Sequence, residues 1–266
     1  MVIDAHCHIY PEKIAEKASH ATGAFYSLPT IYSGTVKELT EQGKKAGIDR
    51  FIIQSVATTP KQVSSINQFI SQTVKDSPEK FFGLGTLHPE SEDIQSDVEE
   101  LISLGLGGVK LHPDIQRFKL DDYRCLKIYE LCEQYNLPVL IHTGDSRYDF
   151  SNPNRLVPIL EIYTDLTVIG AHFGGWSLWE EATKKLYKFS NFYVDTSSSF
   201  YALDDTRVKN IISLYSTDRV MFGSDYPMWE IKPETDRFYS LNYNKEDNEK
   251  MLYSNAVRIF NIEKWK

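Results

Sequence analysis

Short apolar runs alternate along the chain with longer stretches of helical period. Val2 to Ala5, Arg50 to Ala57, Phe81 to Leu87, Gly108 to Leu111, Pro138 to Ile141, Thr167 to Ala171, Phe192 to Asp195 and Arg219 to Gly223 each read as a buried strand. Between them, apolar residues recur every three or four positions. Val63, Ile66, Ile70 and Val74 do so between Pro60 and Pro78, and Ile94, Val98, Leu101 and Ile102 do so ahead of Gly105, an expected C-terminal cap. Asp121 to Asn136, Arg155 to Tyr163, Trp176 to Phe189, Thr206 to Leu214 and Lys245 to Phe260 are further predicted helices. After the second strand the units repeat about every 25–30 residues, the size of one βα unit in a parallel sheet. Strands that are apolar on nearly every residue need cover on both faces. The pattern predicts a single α/β domain over residues 1–266, a closed (β/α)8 TIM barrel. A doubly wound open sheet is the alternative, but no G-x-G-x-x-G turn follows the first strand. The first connection, His8 to Gly47, exceeds ordinary loop length and holds Tyr10, Pro11, Phe25, Tyr26, Pro29 and Tyr32, so a functional loop over the site is expected there.

Composition narrows the partners. With 266 residues, 41% of them hydrophobic and 25% charged, the chain is neither disordered nor of low complexity. The net charge of −8 gives no reason to bind nucleic acid or an anionic membrane. Apolar stretches such as Leu137 to Ile141 and Leu166 to Ala171 fall far short of the roughly 18 residues of a spanning helix. The N-terminal MVIDAHCHIY shows no secretory pattern, and Cys7, Cys125 and Cys132 form no C-x-x-C pair, so a reducing cytoplasm is the expected compartment.

The histidines carry the chemistry. Of seven, all but His20 sit at or just after an apolar run. A (β/α)8 barrel places its active site at the C-terminal ends of its strands. Those ends read His6-Cys7-His8, His88, Lys110-Leu111-His112, His142, His172, Asp195 and Asp225. His6 and His8 are two apart, so both point the same way while Cys7 points opposite; Asp4 has the same parity. Nitrogen and carboxylate ligands around an open position are what a catalytic divalent ion needs. Taken singly, each of these residues has an ordinary role, a packed histidine or a helix-capping aspartate. Their coincidence on successive strand ends makes the case.

DAHCHIY at the first strand, HTGDS at the fifth, GAHFGG at the sixth, YVDTS at the seventh, RVMFGSDYP at the eighth and the closing NAVRIFNI resemble the amidohydrolase superfamily. The branch most resembled is amidohydrolase-related family 2, which includes the aminocarboxymuconate semialdehyde decarboxylase-like enzymes. The resemblance implies a mononuclear site in which His6, His8, His142 and Asp225 hold one divalent metal, zinc in the first place and manganese in the second. Asp225 and His172 are then the expected catalytic residues, the first as proton carrier and the second beside the open position. Lys110 stands where binuclear members carry a bridging lysine; a second metal is the lesser reading, against a neutralising charge or a partner for Asp4. His112 shares its parity and competes for the same place. Arg147, just past His142, is a candidate clamp for a substrate carboxylate. Trp176, with Phe25 or Tyr26, is a candidate ring-stacking residue, and Gly174-Gly175 would admit backbone close to a ligand. A homodimer is suggested by the branch.

Two functions fit these residues. The first is a metal-dependent hydrolase of a small amide, ester or lactone, acting through metal-activated water. The second is a nonhydrolytic decarboxylase of an aromatic or unsaturated carboxylic acid on the same ligands. A phosphoesterase or metal-dependent nuclease fits less well, because such nucleases carry a strand 4 glutamate where this chain has Lys110. A binding protein without catalysis is disfavoured by the intact acid/base candidates.

Overall fold

The computed structural model describes residues 1–265. Its parallel strands are β1 (Ile3–His8), β2 (Arg50–Gln54), β3 (Phe81–Gly83 and Gly85–Thr86), β4 (Val109–Leu111), β5 (Val139–Ile141), β6 (Val168–Gly170), β7 (Phe192–Asp195) and β8 (Val220–Met221), the runs expected from the sequence. A kink at Leu84 splits β3: its first half pairs with β2 and its second with β4. The ring closes where the Ala5 N–H donates to the Phe222 carbonyl (2.9 Å) and the His8 N–H to the Tyr226 carbonyl (2.7 Å). The fold is the (β/α)8 barrel.

Alternation along the strands sorts side chains into two layers. Ile3, Ala5, Ile52, Leu84, Leu140, Ile169 and Met221 fill the barrel interior, plugged from below by Ala256, Val257, Phe260 and Ile262 of the closing helical segment. Cys7, Phe51, Ile53, Val109, Leu111, Val139 and Ile141 face outward against the helices. One expected parity is corrected. The β1–β2 register shifts between Asp4 and Cys7, and this bulge places Ala5, His6 and His8 inside, with Asp4 on the outer side. The Asp4 carboxylate accepts from the backbone N–H groups of His6 (3.2 Å) and Ser224 (2.9 Å), so it pins the bulge and ties β1 to the segment after β8.

The long first connection is not a loop. It folds into α1 (Ala15–Tyr26) and α2 (Val36–Ala46). The Ala-rich first stretch is a strong helix former, and it ends on Ser27 in the left-handed conformation, φ 56°. Thr35 caps α2, its hydroxyl accepting from the Glu38 N–H. A further helix absent from the sequence reading, Ile231–Ser240, follows β8. The predicted helix from Lys245 to Phe260 is one run interrupted by a π-turn at Lys250–Ser254. Among the described residues, no helix is long and apolar enough to cross a membrane.

Candidate active site

The strand ends converge as the barrel requires. Five imidazoles form an arc across the floor of one cavity, with ring centroids 5.2 Å apart for His8–His6, 5.4 Å for His6–His172, 4.8 Å for His172–His142 and 4.1 Å for His142–His112. The cavity is about 460 Å³. α1 covers its mouth, and Lys110 and Asp225 complete the floor. His172 (φ 60°) and Asp225 (φ 62°) both hold left-handed backbone. That conformation costs a non-glycine residue on the order of 1–2 kcal/mol, and strain of this kind gathers at functional sites. His20 is exposed on α1, outside the cavity lining, and the His88 ring accepts from the Glu90 N–H away from that lining.

Hydrogen-bond partners fix where the protons sit. His6 Nδ1–H donates to Asp195 Oδ2 (2.8 Å), leaving a lone pair on Nε2. That Nε2 lies 3.2 Å from His8 Nε2 and 3.3 Å from Asp225 Oδ1, and His8 Nε2 lies 3.6 Å from the same oxygen. His6 Nε2, His8 Nε2 and Asp225 Oδ1 therefore converge at the floor, a set of ligand atoms that suits a cation among them. Their spacing suits one. Bonds of about 2.1 Å to a tetrahedral ion put ligand atoms about 3.4 Å apart. The ligand atoms of His6, His8 and Asp225 fall within 4.8 Å of one another.

His142, expected as a fourth ligand, lies one ring further along. Its Nδ1 is 2.9 Å from His172 Nε2, and its ligand atoms group with those of His112 and Asp114 instead. The His172 Nδ1–H donates to the Ser197 carbonyl (3.0 Å) and leaves Nε2 to accept from His142 Nδ1, so the His142 Nε2 takes no part in that bond. The second group is a hydrogen-bond network. His112 Nδ1 accepts from the Ile115 N–H, so its Nε2–H faces the Tyr26 hydroxyl at 2.7 Å. Lys110 points inward, with Nζ 3.2 Å from His6 Nε2, whereas Asp4 is on the outer side, which ends the Lys110–Asp4 pairing as a reading. Burial lowers the Lys110 ammonium to about 8 against the pull of Asp195 and Asp225.

Two expected substrate contacts are corrected. Arg147 does not line the cavity. Its Nε and Nη2 donate to both oxygens of buried Asp145 (3.0 and 2.7 Å), and Nη1 donates to the Phe25 carbonyl at the end of α1 (2.7 Å). The guanidinium lies 5.1–5.5 Å from the rings of Phe25, Tyr26, Tyr148 and Trp176. A carboxylate two residues away and a helix C-terminus outcompete a distant ligand for that charge. Arg147 is thus the latch that holds α1 down. Trp176 likewise packs on Tyr26, centroids 5.1 Å apart, outside the cavity lining. Gly174 and Gly175 approach protein instead of ligand: a Cβ on Gly175 would lie 2.4 Å from that of Ala182. Arg147→Ala should cost on the order of 2 kcal/mol through the stranded Asp145 carboxylate, lowering the melting temperature by about 5 °C. Arg147→Lys should recover little of it, because an ammonium lacks the fork; full recovery in a thermal melt would count against the latch.

Sequence reasoning passed over Asp195, Ser197, Ser198 and Asp114 as working residues. Asp195 was visible as the last residue of β7. Its carboxylate orients His6 and also accepts from the His172 and Ser197 N–H groups. The Ser198 hydroxyl donates to Asp225 Oδ2 and receives the Trp229 indole N–H (2.7 Å). Nothing local in the sequence marks these serines, since their partners lie on other strands.

Buried charge also sets a pH dependence. Burial pushes Asp114 up to about 7 and Glu234 up to about 8. Each keeps in the folded chain a proton that it loses above about pH 4 when unfolded, so stability falls as pH rises through 7 and 8. Burial instead holds His6, His8, His112, His142 and His172 below their usual range, so below about pH 6.5 the unfolded chain takes up protons that the folded one excludes. The melting temperature of chelator-treated protein should peak near pH 6.5, with a shallower fall on the acid side, where carboxyls and imidazoles oppose. A steady rise from pH 6.5 to 8.5 would contradict this assignment.

Comparison with known proteins supplies the lineage. The family model described as Amidohydrolase matches residues 3–262. The chain belongs to the amidohydrolase family. A 2-amino-3-carboxymuconate-6-semialdehyde decarboxylase of Dictyostelium discoideum is 22% identical over 243 positions, a match covering 74% of this chain and 66% of the relative, so the chain spans about two thirds of that protein's length. An uncharacterised TIM-barrel protein from Bordetella bronchiseptica superposes with a TM-score of 0.81 at 22% identity, covering 98% of both chains. A dihydroxybenzoic acid decarboxylase from Polaromonas sp., solved with bound manganese and the inhibitor 2-nitroresorcinol, superposes with a TM-score of 0.74 at 16% identity, covering 98% of this chain and 97% of that one.

Proposed function

We propose that this amidohydrolase-family chain is a nonhydrolytic, metal-dependent decarboxylase of an aromatic or unsaturated carboxylic acid, with His6, His8 and Asp225 holding one divalent ion. The observation that carries the reading is the cavity itself: a floor where two imidazoles and a carboxylate converge at the spacing of metal ligands, beneath walls built largely of apolar side chains. Loss of CO2 disperses the charge of a carboxylate, so a largely apolar chamber favours it. The named activities of the curated relative and of the manganese-bound neighbour support this second sequence expectation over the hydrolase expectation. They favour manganese over zinc as the ion.

A divalent ion held at this floor would withdraw charge from a substrate carboxylate and from an adjacent oxygen. The chain's own groups must then supply a proton. When the C–C bond to the carboxylate breaks, its electron pair stays on the substrate carbon, and that carbon takes up one proton as CO2 leaves. Burial and neighbouring His6 hold His172 down at about 3, so it is neutral, with Nε2 an acceptor. Asp225 is the better donor. Burial raises its carboxyl to about 7 in the metal-free protein, with the Ser198 hydroxyl and Lys110 opposing, and a bound cation would oppose further. We assign Asp225 as the proton carrier and His172 as a fixed acceptor that orients His142. His142 is the neighbouring candidate to complete the metal set.

The test is a reaction of the manganese-loaded protein with 2,6-dihydroxybenzoate and related aromatic acids in D2O. The expected result is CO2 release with one deuteron on the carbon that lost the carboxylate. Turnover of lactones or amides with no CO2 from any acid would return the chain to the hydrolases.

A further inference from the structure

The charge inventory of the cavity limits what its outer half can hold. Two helical faces form the jaws above the metal-binding floor. Ile14, Ala18, Ala21, Thr22 and Phe25 come from one stripe along α1 and its lead-in, at spacings of three and four. Gln62, Ser65, Ile66 and Phe69 come from one stripe of the helix Val63–Asp76 and the turn before it. Neither stripe carries a charged residue. Lys13, Glu16, Lys17, Lys61, Lys75 and Asp76 lie on these segments but outside the lining.

Among the described residues, Lys110 is the one Lys or Arg side chain that lines the cavity, and it sits at the floor beside His6. Arg147, directly after the HTGDS motif, spends its guanidinium on Asp145, the Phe25 carbonyl and the surrounding rings. The floor therefore offers positive charge for one carboxylate. A second carboxylate between the jaws would meet no cation, and the half-buried faces of Ala18, Thr22, Ile66 and Phe69 would strip part of its water, a cost with nothing to offset it. Uncharged polar groups fare better there, because Thr22, Thr58, Gln62 and Ser65 border the space with hydroxyl and amide groups.

We propose that the substrate is a mono-acid: a single carboxylate seated at the floor against Lys110 and the metal ligands, with an uncharged ring and uncharged substituents held between the two helical jaws. This rests on the aromatic-acid reading above and sharpens it. It also separates this chain from substrates with two carboxylates, for which the wall would need an arginine or lysine.

The experiment is a calorimetric titration of the manganese-loaded protein, and binding is read without turnover. Three ligands share one ring: 2-hydroxybenzoate, the same ring with a second carboxylate at position 5, and the methyl ester of that second carboxylate, which matches its bulk without its charge. The ester should bind within a few-fold of 2-hydroxybenzoate, and the diacid at least tenfold more weakly than the ester. A diacid that binds as tightly as the ester, or more tightly, overturns the mono-acid assignment and leaves the decarboxylase reading standing. Silence from all three ligands overturns the aromatic-acid reading itself, and the mono-acid assignment with it.

Discussion

Asp225→Asn is expected to abolish turnover while the barrel stays folded. Two effects combine at that position. The amide cannot carry the proton that the substrate carbon needs, and a positioned general acid is typically responsible for 10²–10⁴-fold in rate. The substitution also removes the anionic oxygen that lies 3.3 Å from His6 Nε2 and 3.6 Å from His8 Nε2, which weakens the metal site. A loss of at least about 10³-fold in kcat is the expected outcome. Stability should move the other way or not at all. The native carboxyl is raised by burial, so the folded state bears a cost for its charge above pH 7, and a neutral isostere avoids it. Circular dichroism should be unchanged, and the melting temperature of the metal-free protein at pH 8 should be equal or higher. An Asp225→Asn variant that turns over within tenfold of the parent would remove Asp225 from the chemistry.

The sequence made the floor of the site legible and left its roof obscure, for a physical reason. Strand-end residues obey a strict period and one barrel rule, so His6, His8, Lys110, His112, His142, His172 and Asp225 converge as their strand positions dictate. The roof depends on contacts between distant segments. Tyr26 meets His112 across 86 positions, and the Arg147 latch meets Phe25 across 122. Neither pairing leaves a periodic trace. Arg147 looked like a ligand clamp because it follows a site histidine, yet its neighbour Asp145 captures it first. Asp4 shows the limit of parity. One bulge in β1 reverses the side it faces, and alternation cannot reveal a bulge before the register is known. The helix Ile231–Ser240 was missed because Pro233 interrupts its pattern, although proline is well tolerated in a first helical turn.

Removal of the metal carries the second large expected effect, because the three convergent ligand groups of the floor lose the ion they would share. The His6 Nε2 lone pair, His8 Nε2 and Asp225 Oδ1 lie within 3.6 Å of one another, and Lys110 Nζ at 3.2 Å from His6 is the cation at hand. Chelation should therefore end activity altogether. It should also lower stability by the binding free energy lost. Manganese present at 1,000 times its dissociation constant stabilises a folded protein by about 4 kcal/mol, and for a chain of this size that corresponds to roughly 10 °C in melting temperature. The stoichiometry of restoration separates the two readings of Lys110. One equivalent of manganese restoring both activity and melting temperature is the expected result, with Lys110 acting as a neutralising charge. A requirement for two equivalents, lost again in Lys110→Ala, would make Lys110 a bridge between metals. Full activity after exhaustive chelation would refute the metal-dependent reading and leave Lys110 as the floor's cation.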